Sequence, residues 1–239
     1  MEQKIVILGL FFGIVGFCLA DPAIPDLDDF EALKDRCDKK AGNGTFEKIK
    51  AARMETQTCI ENLISIDAFK TELEVSRQSG SMDEVFNKYC KKIPKFRACI
   101  KKTYDALEPC LEEKEKNAVN FTSNIVQQLG EFACFKNGDR LAMFVAEGGA
   151  DCLKSRSEGI QNCVNETIKF NPETFSANSI PNLVVDKRVC DDLVKIQTCV
   201  VKDMENCPKS TPANLIDALF KFVKKIACKD VVKRSILFM

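Results

Sequence analysis

The chain has 239 residues, 45% of them hydrophobic, and its 35 lysines and arginines balance 35 aspartates and glutamates. This neutral balance gives no overall field that would attract nucleic acid or an anionic membrane. The chain contains no histidine, which excludes a Ser-His-Asp triad, a Cys-His pair and a zinc site with imidazole ligands.

Residues 1–20 have the composition of a secretory signal peptide. Lys4 supplies a positive charge ahead of the apolar run 5–17, and Cys18 and Ala20 are the small residues of a cleavage site. We therefore expect a mature chain that starts at Asp21. Because no segment reaches the ~18 consecutive apolar residues of a membrane helix, we expect a secreted protein with no membrane span.

Helical signals begin in the first half of the mature chain. "SMDEVFNKYC" (81–90) starts with Ser81 and Glu84 at the spacing of a capping box. Pro94 and Pro109 each follow an expected helix end, and we expect each of them to begin a new helix.

Further helical patterns follow towards the C-terminus. "NFTSNIVQQLGEFAC" (120–134) and "STPANLIDALFKFVKKIAC" (210–228) repeat apolar residues every three or four positions. The second has Thr211 as its expected cap and Pro212 as its expected first helical residue. "NLVVDKRV" (182–189) fits a strand or the start of a helix equally well. The chain as a whole is predicted to be all-α.

Seven basic residues lie close together in the sequence and could bind a sulfated glycan or an acidic partner. Their positions scatter around a helix and do not form one stripe, which favours an ordinary solvated helix face. These residues, called the basic cluster below, are Lys88, Lys91, Lys92, Lys95, Arg97, Lys101 and Lys102.

Twelve of the 13 cysteines remain once the signal peptide is removed. An even number in an exported chain predicts that all twelve form disulfides, because the secretory compartment is oxidising. The first set is Cys37, Cys59, Cys90, Cys99, Cys110 and Cys134, and the second set is Cys152, Cys163, Cys190, Cys199, Cys207 and Cys228.

The two sets resemble each other, with intervals of 22, 31, 9, 11 and 24 residues in the first and 11, 27, 9, 8 and 21 in the second. "QTCIEN" around Cys59 also matches "QNCVNE" around Cys163. We infer a tandem duplication. The predicted fold is all-α with two tandem helical units, each with six cysteines in disulfides. The first unit is 21–136, a junction segment is 137–150, the second unit is 151–230 and a C-terminal tail is 231–239.

Helix geometry restricts the pairing. Cys90 and Cys99 are nine residues apart, so at about 100° per residue they face opposite sides of a helix. We expect them to bond to different helices, and we expect the same of Cys190 and Cys199. Six cysteines per unit leave many connectivities open.

Three Asn-x-Thr sequons predict N-glycosylation at Asn43, Asn120 and Asn165. The chain presents no catalytic, cofactor-binding or metal-binding pattern. It has no Cys-x-x-Cys motif, and its most closely spaced cysteines, Cys199 and Cys207, lack the spacing of a zinc knuckle.

The leading interpretation is a secreted, non-enzymatic protein that acts in binding, carriage or defence, without cofactor or metal. Its partner would be an extracellular protein or a small apolar ligand. One alternative is a carrier of lipids or hormones, since 17 phenylalanines could line a pocket or could simply fill two cores. A second alternative is a carboxylate-dependent secreted hydrolase, for which Glu131, Glu147 and Glu166 lie near apolar residues although nothing selects a pair.

The cysteine order, the repeated "QxC[IV]" units and the junction sequence "NGDRLAMFVAEGGADC" (137–152) resemble the insect 27 kDa hemolymph glycoprotein family. The resemblance extends over the chain as far as Cys228. It implies a secreted hemolymph protein, and it brings no catalytic residues.

Overall fold

The structure is a computed structural model that describes residues 31–167 and 186–229. The expected signal peptide and C-terminal tail, and residues 182–185 of the ambiguous segment, lie outside this part of the chain. The described residues are helical with short connections and contain no β-strand, so the all-α prediction is confirmed. Those up to Phe121 form one compact unit (unit 1), and those from Thr122 onward form another (unit 2). The predicted repeat boundaries stay a prediction, since this division follows contacts and not ancestry.

Unit 1 consists of α-helices joined by tight turns. Ser65 begins α3 with its side chain, which accepts a hydrogen bond from the Ala68 amide, and Gly80 ends α3 in the left-handed region at φ 77°. The elements are α1 (Glu31–Ala41), α2 (Thr45–Leu63), α3 (Ile66–Ser79), α4 (Met82–Cys90), α5 (Ile93–Leu107), a 3-10 turn (Glu108–Cys110) and the start of α6 (Glu113–Ala133).

The core of unit 1 lies between α1, α2 and the 3-10 turn. Cys37, Ile49 and Cys110 are at most 2% exposed, and Leu33 and Leu107 pack against them. Elsewhere in the unit Phe69 of α3 meets the edge of Tyr89 of α4, with ring centroids 4.6 Å apart. Burial of these side chains is what holds short helices together, because helices of this length are marginal alone in water.

Unit 2 contains the C-terminal part of α6 and five further helices. The last helix forms where the apolar spacing predicts it, and its buried residues Ile216, Phe220 and Val223 recur at three- and four-residue spacing. The face that the spacing indicated, Leu215, Leu219, Phe222, Val223 and Ile226, is displaced from this one, because all of its members except Val223 are only half-buried. After a 3-10 turn (Phe135–Gly138), the helices are α7 (Asp139–Ala146), α8 (Gly149–Ser155), α9 (Ser157–Thr167), α10 (Lys187–Met204) and α11 (Thr211–Ala227).

The described part of the ambiguous segment 182–189 is the start of α10, where the Asp186 side chain accepts from the Val189 amide. The expected junction features are present too. Asn137 and Gly138 form a turn with φ 62° and 89°, and the short apolar helix α7 separates them from Gly148.

Two cap predictions were wrong, those for Ser81 and Thr211. Ser81 precedes α4 but makes no side-chain cap, because its hydroxyl lies 2.8 Å from that of Ser79. Thr211 is itself the first residue of α11, so the N-cap position belongs to Ser210. Pro109 follows the end of α5 at Leu107 and begins a new helix as expected, although this helix is the short 3-10 turn and not α6. Pro94 lies in the first turn of α5 as expected.

Candidate functional site

In unit 1 helices α2 and α5 are joined by a disulfide and a threonine pair. Cys59 of α2 bonds to Cys99 of α5. The Thr56 hydroxyl donates to the Cys99 carbonyl oxygen over 2.8 Å, and the Thr103 hydroxyl lies 2.8 Å from that of Thr56. Thr103 also donates to the Ala52 carbonyl over 3.3 Å. Thr103, four positions after Cys99, therefore lies against the turns of α2 that precede Cys59.

In unit 2 helices α9 and α10 meet in a similar register. Cys163 of α9 bonds to Cys199 of α10. Asp203, four positions after Cys199, lies against Gly159, four positions before Cys163. A Cβ atom added to Gly159 would lie 2.5 Å from Oδ2 of Asp203. A larger residue at position 159 would therefore require the Asp203 carboxylate to move.

Two disulfides of the first set of cysteines have an equivalent in the second set, and the order of pairing is the same in both. The second cysteine bonds to the fourth in each set, as described above. The first bonds to the fifth in each set, namely Cys37–Cys110 and Cys152–Cys207. In the second set the third bonds to the sixth, Cys190–Cys228.

Cys90 and Cys134, the third and sixth of the first set, are also disulfide-bonded, so all twelve cysteines of the described residues are oxidised. Cys190 and Cys199 bond to cysteines of different elements, as the helix geometry predicts. A thiolate nucleophile would need a free thiol, and these twelve residues offer none.

A polar contact between α1 and the start of α6 had no signal in the sequence. Arg36 donates to Glu115 over 2.6 Å, and the Glu115 side chain is 2% exposed. The other oxygen of this carboxylate accepts from the Glu112 amide over 2.7 Å, which satisfies one free N–H at the start of α6. Lys40 adds a hydrogen bond to the Leu111 carbonyl over 2.6 Å. Glu115 is thus a buried carboxylate held by structural partners.

The basic cluster is largely engaged within the protein. Lys88 pairs with Glu72 over 2.7 Å, and this hydrogen bond is the main reason that the pKa of Lys88 lies above 10.5. Lys92 donates to the Leu63 carbonyl over 2.8 Å, at the C-terminus of α2. Two further lysines pair with acidic residues, Lys101 with Asp105 and Lys102 with Glu55. This arrangement fits the expected solvated helix face, with part of its charge neutralised locally.

The aromatic residue beside these lysines is also bound into the fold. Tyr89 packs on Phe69, and its hydroxyl lies 3.4 Å from Glu72. Partial burial, followed by the charge of Glu72, raises the pKa of Tyr89 above 10.0. Lys92 lies over the same ring, 4.9 Å from its centroid. These contacts stabilise the α3–α4 pair and leave the phenol protonated at neutral pH.

In unit 2 an arginine is stacked between two phenylalanines near the junction. The Arg140 guanidinium lies 4.0 Å from the Phe132 ring centroid and 4.3 Å from that of Phe135. Arg140 also donates to the Phe132 carbonyl over 2.9 Å, at the last turn of α6. The Phe132 ring packs in turn on Phe222 of α11 at 4.9 Å. The half-buried Phe132 and Phe222 rings pack between helices, as in the core-filling alternative for phenylalanine, whereas Phe135 is 48% exposed.

No contact among the described residues joins two of the carboxylates considered for a hydrolase. Glu147 pairs with Lys209 over 3.2 Å. Glu131 is exposed and accepts from Gln127 over 3.1 Å, and Glu166 is exposed near the end of α9. The described residues hold no group of three or more cysteine, aspartate and glutamate side chains that could bind a metal ion.

All three sequon asparagines are exposed, but their settings differ. Asn43 lies in the turn between α1 and α2. Asn120 lies within α6, where its side-chain oxygen accepts from the Tyr104 hydroxyl over 3.4 Å. Asn165 lies in the last turn of α9, and the hydroxyl of its sequon threonine, Thr167, donates to the Cys163 carbonyl over 2.8 Å.

These features define an all-α protein whose helices are held by disulfides in a repeated order. Within residues 31–167 and 186–229, no helix has both the length and the apolarity that crossing a bilayer requires. A protein family described as "Protein of unknown function (DUF1397)" matches residues 25–228.

Three similar proteins come from insects, and their names describe them as hemolymph proteins, glycoproteins or both. A 27 kDa glycoprotein of Bombyx mori is 33% identical over 202 residues, covering 83% of this chain and 87% of that protein. A 27 kDa hemolymph protein of Galleria mellonella is 34% identical over 195 residues, covering 82% and 81%. A 27 kDa hemolymph glycoprotein of Manduca sexta is 32% identical over 195 residues, covering 81% and 81%. No solved structure matches the chain significantly.

The chain belongs to this family of 27 kDa hemolymph glycoproteins. The resemblance seen in the cysteine order and the junction sequence is therefore confirmed. The protein is secreted into the hemolymph, in agreement with its many disulfides, which persist in oxidising compartments.

Proposed function

We propose that the protein is a non-enzymatic glycoprotein of the hemolymph that acts by binding, in carriage or in defence. The observation that carries this proposal is the bonding of all twelve cysteines in the described residues. Such a framework supports a rigid surface and supplies no nucleophile. The names of the three relatives contain no enzymatic activity, which agrees with the proposal.

We further propose that the protein carries N-linked sugars on Asn43, Asn120 and Asn165 and loses residues 1–20 before secretion. The exposure of all three asparagines supports this, because a sugar on a buried asparagine would disrupt packing. Two relatives are named glycoproteins. Mass spectrometry of glycopeptides from protein purified from hemolymph tests the three sites one by one, and an N-terminus other than Asp21 would contradict the cleavage.

We also propose that residues 21–136 and 151–230 descend from one duplicated unit. Support comes from the shared pairing of first to fifth and second to fourth cysteine. The similar position of Thr103 and Asp203 relative to the α2 and α9 cysteines adds to this. Two unrelated helical units would have no reason to repeat one of many possible connectivities.

The experiment that tests binding against the alternatives is native mass spectrometry of hemolymph-derived protein, followed by activity assays. A mass above that of the peptide and its sugars identifies a bound molecule directly. A mass that peptide and sugars fully explain argues against a carrier of small apolar ligands. Turnover of a glycoside by the wild type, lost in the triple variant of Glu131, Glu147 and Glu166 to glutamine, would contradict the non-enzymatic proposal.

A further inference from the structure

Asparagine is followed directly by glycine at two places in the chain, Asn43-Gly44 and Asn137-Gly138. This dipeptide is chemically labile. Glycine has no side chain to shield its backbone nitrogen, so the nitrogen can reach the side-chain amide carbon of the preceding asparagine. Whether it does so depends on the freedom of that nitrogen in the folded protein.

Asn43-Gly44 lies in an open setting. Asn43 is exposed, and the link between the end of α1 at Ala41 and the start of α2 at Thr45 is only three residues long. A Cβ added to Gly42 or Gly44 would meet no atom within 4 Å. Among the described residues the Gly44 amide donates to no acceptor, whereas the next amide, that of Thr45, donates to the Gly42 carbonyl over 3.3 Å.

Asn137-Gly138 lies in a closed setting. Gly138 is buried, and its amide donates to the Cys134 carbonyl over 3.3 Å. Lys136 and Asn137 both have left-handed backbones, with φ 48° and 62°, which hold this turn in one conformation. The nitrogen that would have to attack is therefore both buried and hydrogen-bonded.

We propose that Asn43 is a site of spontaneous succinimide formation in every copy of the protein without a sugar at this residue, and that Asn137 is protected. The Gly44 nitrogen loses its proton and attacks Cγ of Asn43. A C–N bond forms, the bond from Cγ to Nδ2 breaks, and the amide nitrogen takes up a proton and leaves as ammonia. Water then opens the ring at either carbonyl, giving aspartate or isoaspartate at position 43 without oxidant or reductant.

The same asparagine is the acceptor of the Asn43 sequon, so this inference rests in part on the proposed glycosylation. A sugar on Nδ2 crowds Cγ and would have to leave as a glycosylamine, which disfavours the attack. Conversely, the reaction removes Nδ2 and so abolishes the sequon for good. The new carboxylate would directly precede Gly44, the N-cap of α2, where a negative charge is favourable to the helix. The fold therefore accommodates the product.

The test uses the full mature chain, with its disulfides formed, from a host that adds no N-linked sugars. The protein is incubated at neutral pH, and peptide mapping by mass spectrometry follows aspartate and isoaspartate at both dipeptides. We expect Asn43 to convert at least about fivefold faster than Asn137, the factor that corresponds to one net hydrogen bond of about 1 kcal/mol. After reduction and denaturation the two rates should agree within about twofold, since only the fold distinguishes the two sites.

Equal rates in the folded protein, or faster conversion of Asn137, would overturn the proposal. If the sugar-free chain does not fold, hemolymph-derived protein gives a second measurement. In its sugar-free peptides aspartate and isoaspartate must then be enriched at position 43 relative to position 137, and the absence of enrichment refutes the proposal. Glycopeptide occupancy of Asn43 is read separately, so a failure of the glycosylation proposal is recognised independently.

Discussion

Replacement of Gly149 by alanine tests the packing of the junction in unit 2. Gly149 is the buried first residue of α8, and a Cβ added there would lie 2.5 Å from Cε1 and 2.6 Å from Cδ1 of Phe144. The Phe144 ring is only 7% exposed, so it has little room to move away. Van der Waals contact needs about 1 Å more than this distance, because carbon atoms prefer separations of about 3.5 Å or more.

The expected cost follows from two opposing effects. Overpacking a core costs about 1–3 kcal/mol. Alanine in place of a helical glycine restores about 0.4–1 kcal/mol by restricting the unfolded chain. We therefore expect Gly149→Ala to lower the free energy of unfolding by about 1–2 kcal/mol, which corresponds to a fall in Tm of about 2–8 °C for a chain of this size.

Thermal unfolding followed by circular dichroism without reductant measures this effect. Phe144→Leu in the Gly149→Ala background shortens the ring and should recover part of the loss, so the two changes should cost less together than the sum of each alone. Gly148→Ala is the matched control, because it meets no atom within 4 Å and suffers only from its φ of 77°. Two results would refute the predicted clash between a Cβ at position 149 and the Phe144 ring. One is that the losses in unfolding free energy caused by the Phe144 and Gly149 changes simply add, and the other is a Gly149→Ala variant as stable as the wild type.

Three other changes test the disulfide, the threonine pair and an ion pair. Replacing both cysteines of Cys59–Cys99, which are 40 residues apart, by alanine should cost about 4 kcal/mol in denaturant unfolding, since the bond restricts the unfolded chain. Thr103→Val should cost about 1 kcal/mol in the same assay, because it removes the hydrogen bonds to α2. Asp217→Asn removes the ion pair with Lys221 and should lower the free energy of unfolding. This loss should be constant at pH values above 3.8, the ordinary pKa of an aspartate, and should shrink as the pH falls below that value.

The sign of the Asp217 effect comes from its neighbours. Hydrogen bonds from Lys221 and then Gln197 lower the pKa of the folded carboxyl, so its ionised form stabilises the fold above 3.8 and is lost in acid. A difference that persists unchanged at low pH would contradict this.

The control for the disulfide is Cys163–Cys199, 36 residues apart, whose removal should cost a similar amount. Markedly unequal losses would mean that strain or residual structure, and not chain entropy, sets the cost. For the threonine pair, Thr56→Val together with Thr103→Val should cost less than the sum of the two changes alone.

Local chemistry explains which structural features were predictable. Periodic apolar residues identified α11, but Leu215 and Leu219 of that pattern are only half-buried, and the buried face includes Ile216 in their place. Pro94 predicted the start of α5, and Gly138 predicted the turn at Asn137. Both predictions succeed because proline narrows and glycine widens the range of backbone conformations within a few positions. Ser81 failed as a side-chain cap since its hydroxyl had another partner, Ser79, that the spacing could not reveal.

Sequence by itself determined the all-helical class, the even count of cysteines, the likeness of the two cysteine sets and the family. These depend on short-range periodicity and on residue type. Only the tertiary structure decided which cysteines bond, that Arg36 meets the buried Glu115, and that Asp203 lies against Gly159. Such contacts join residues 36 to 79 positions apart, and their partners are chosen by how helices pack and not by the residues next to them in the chain.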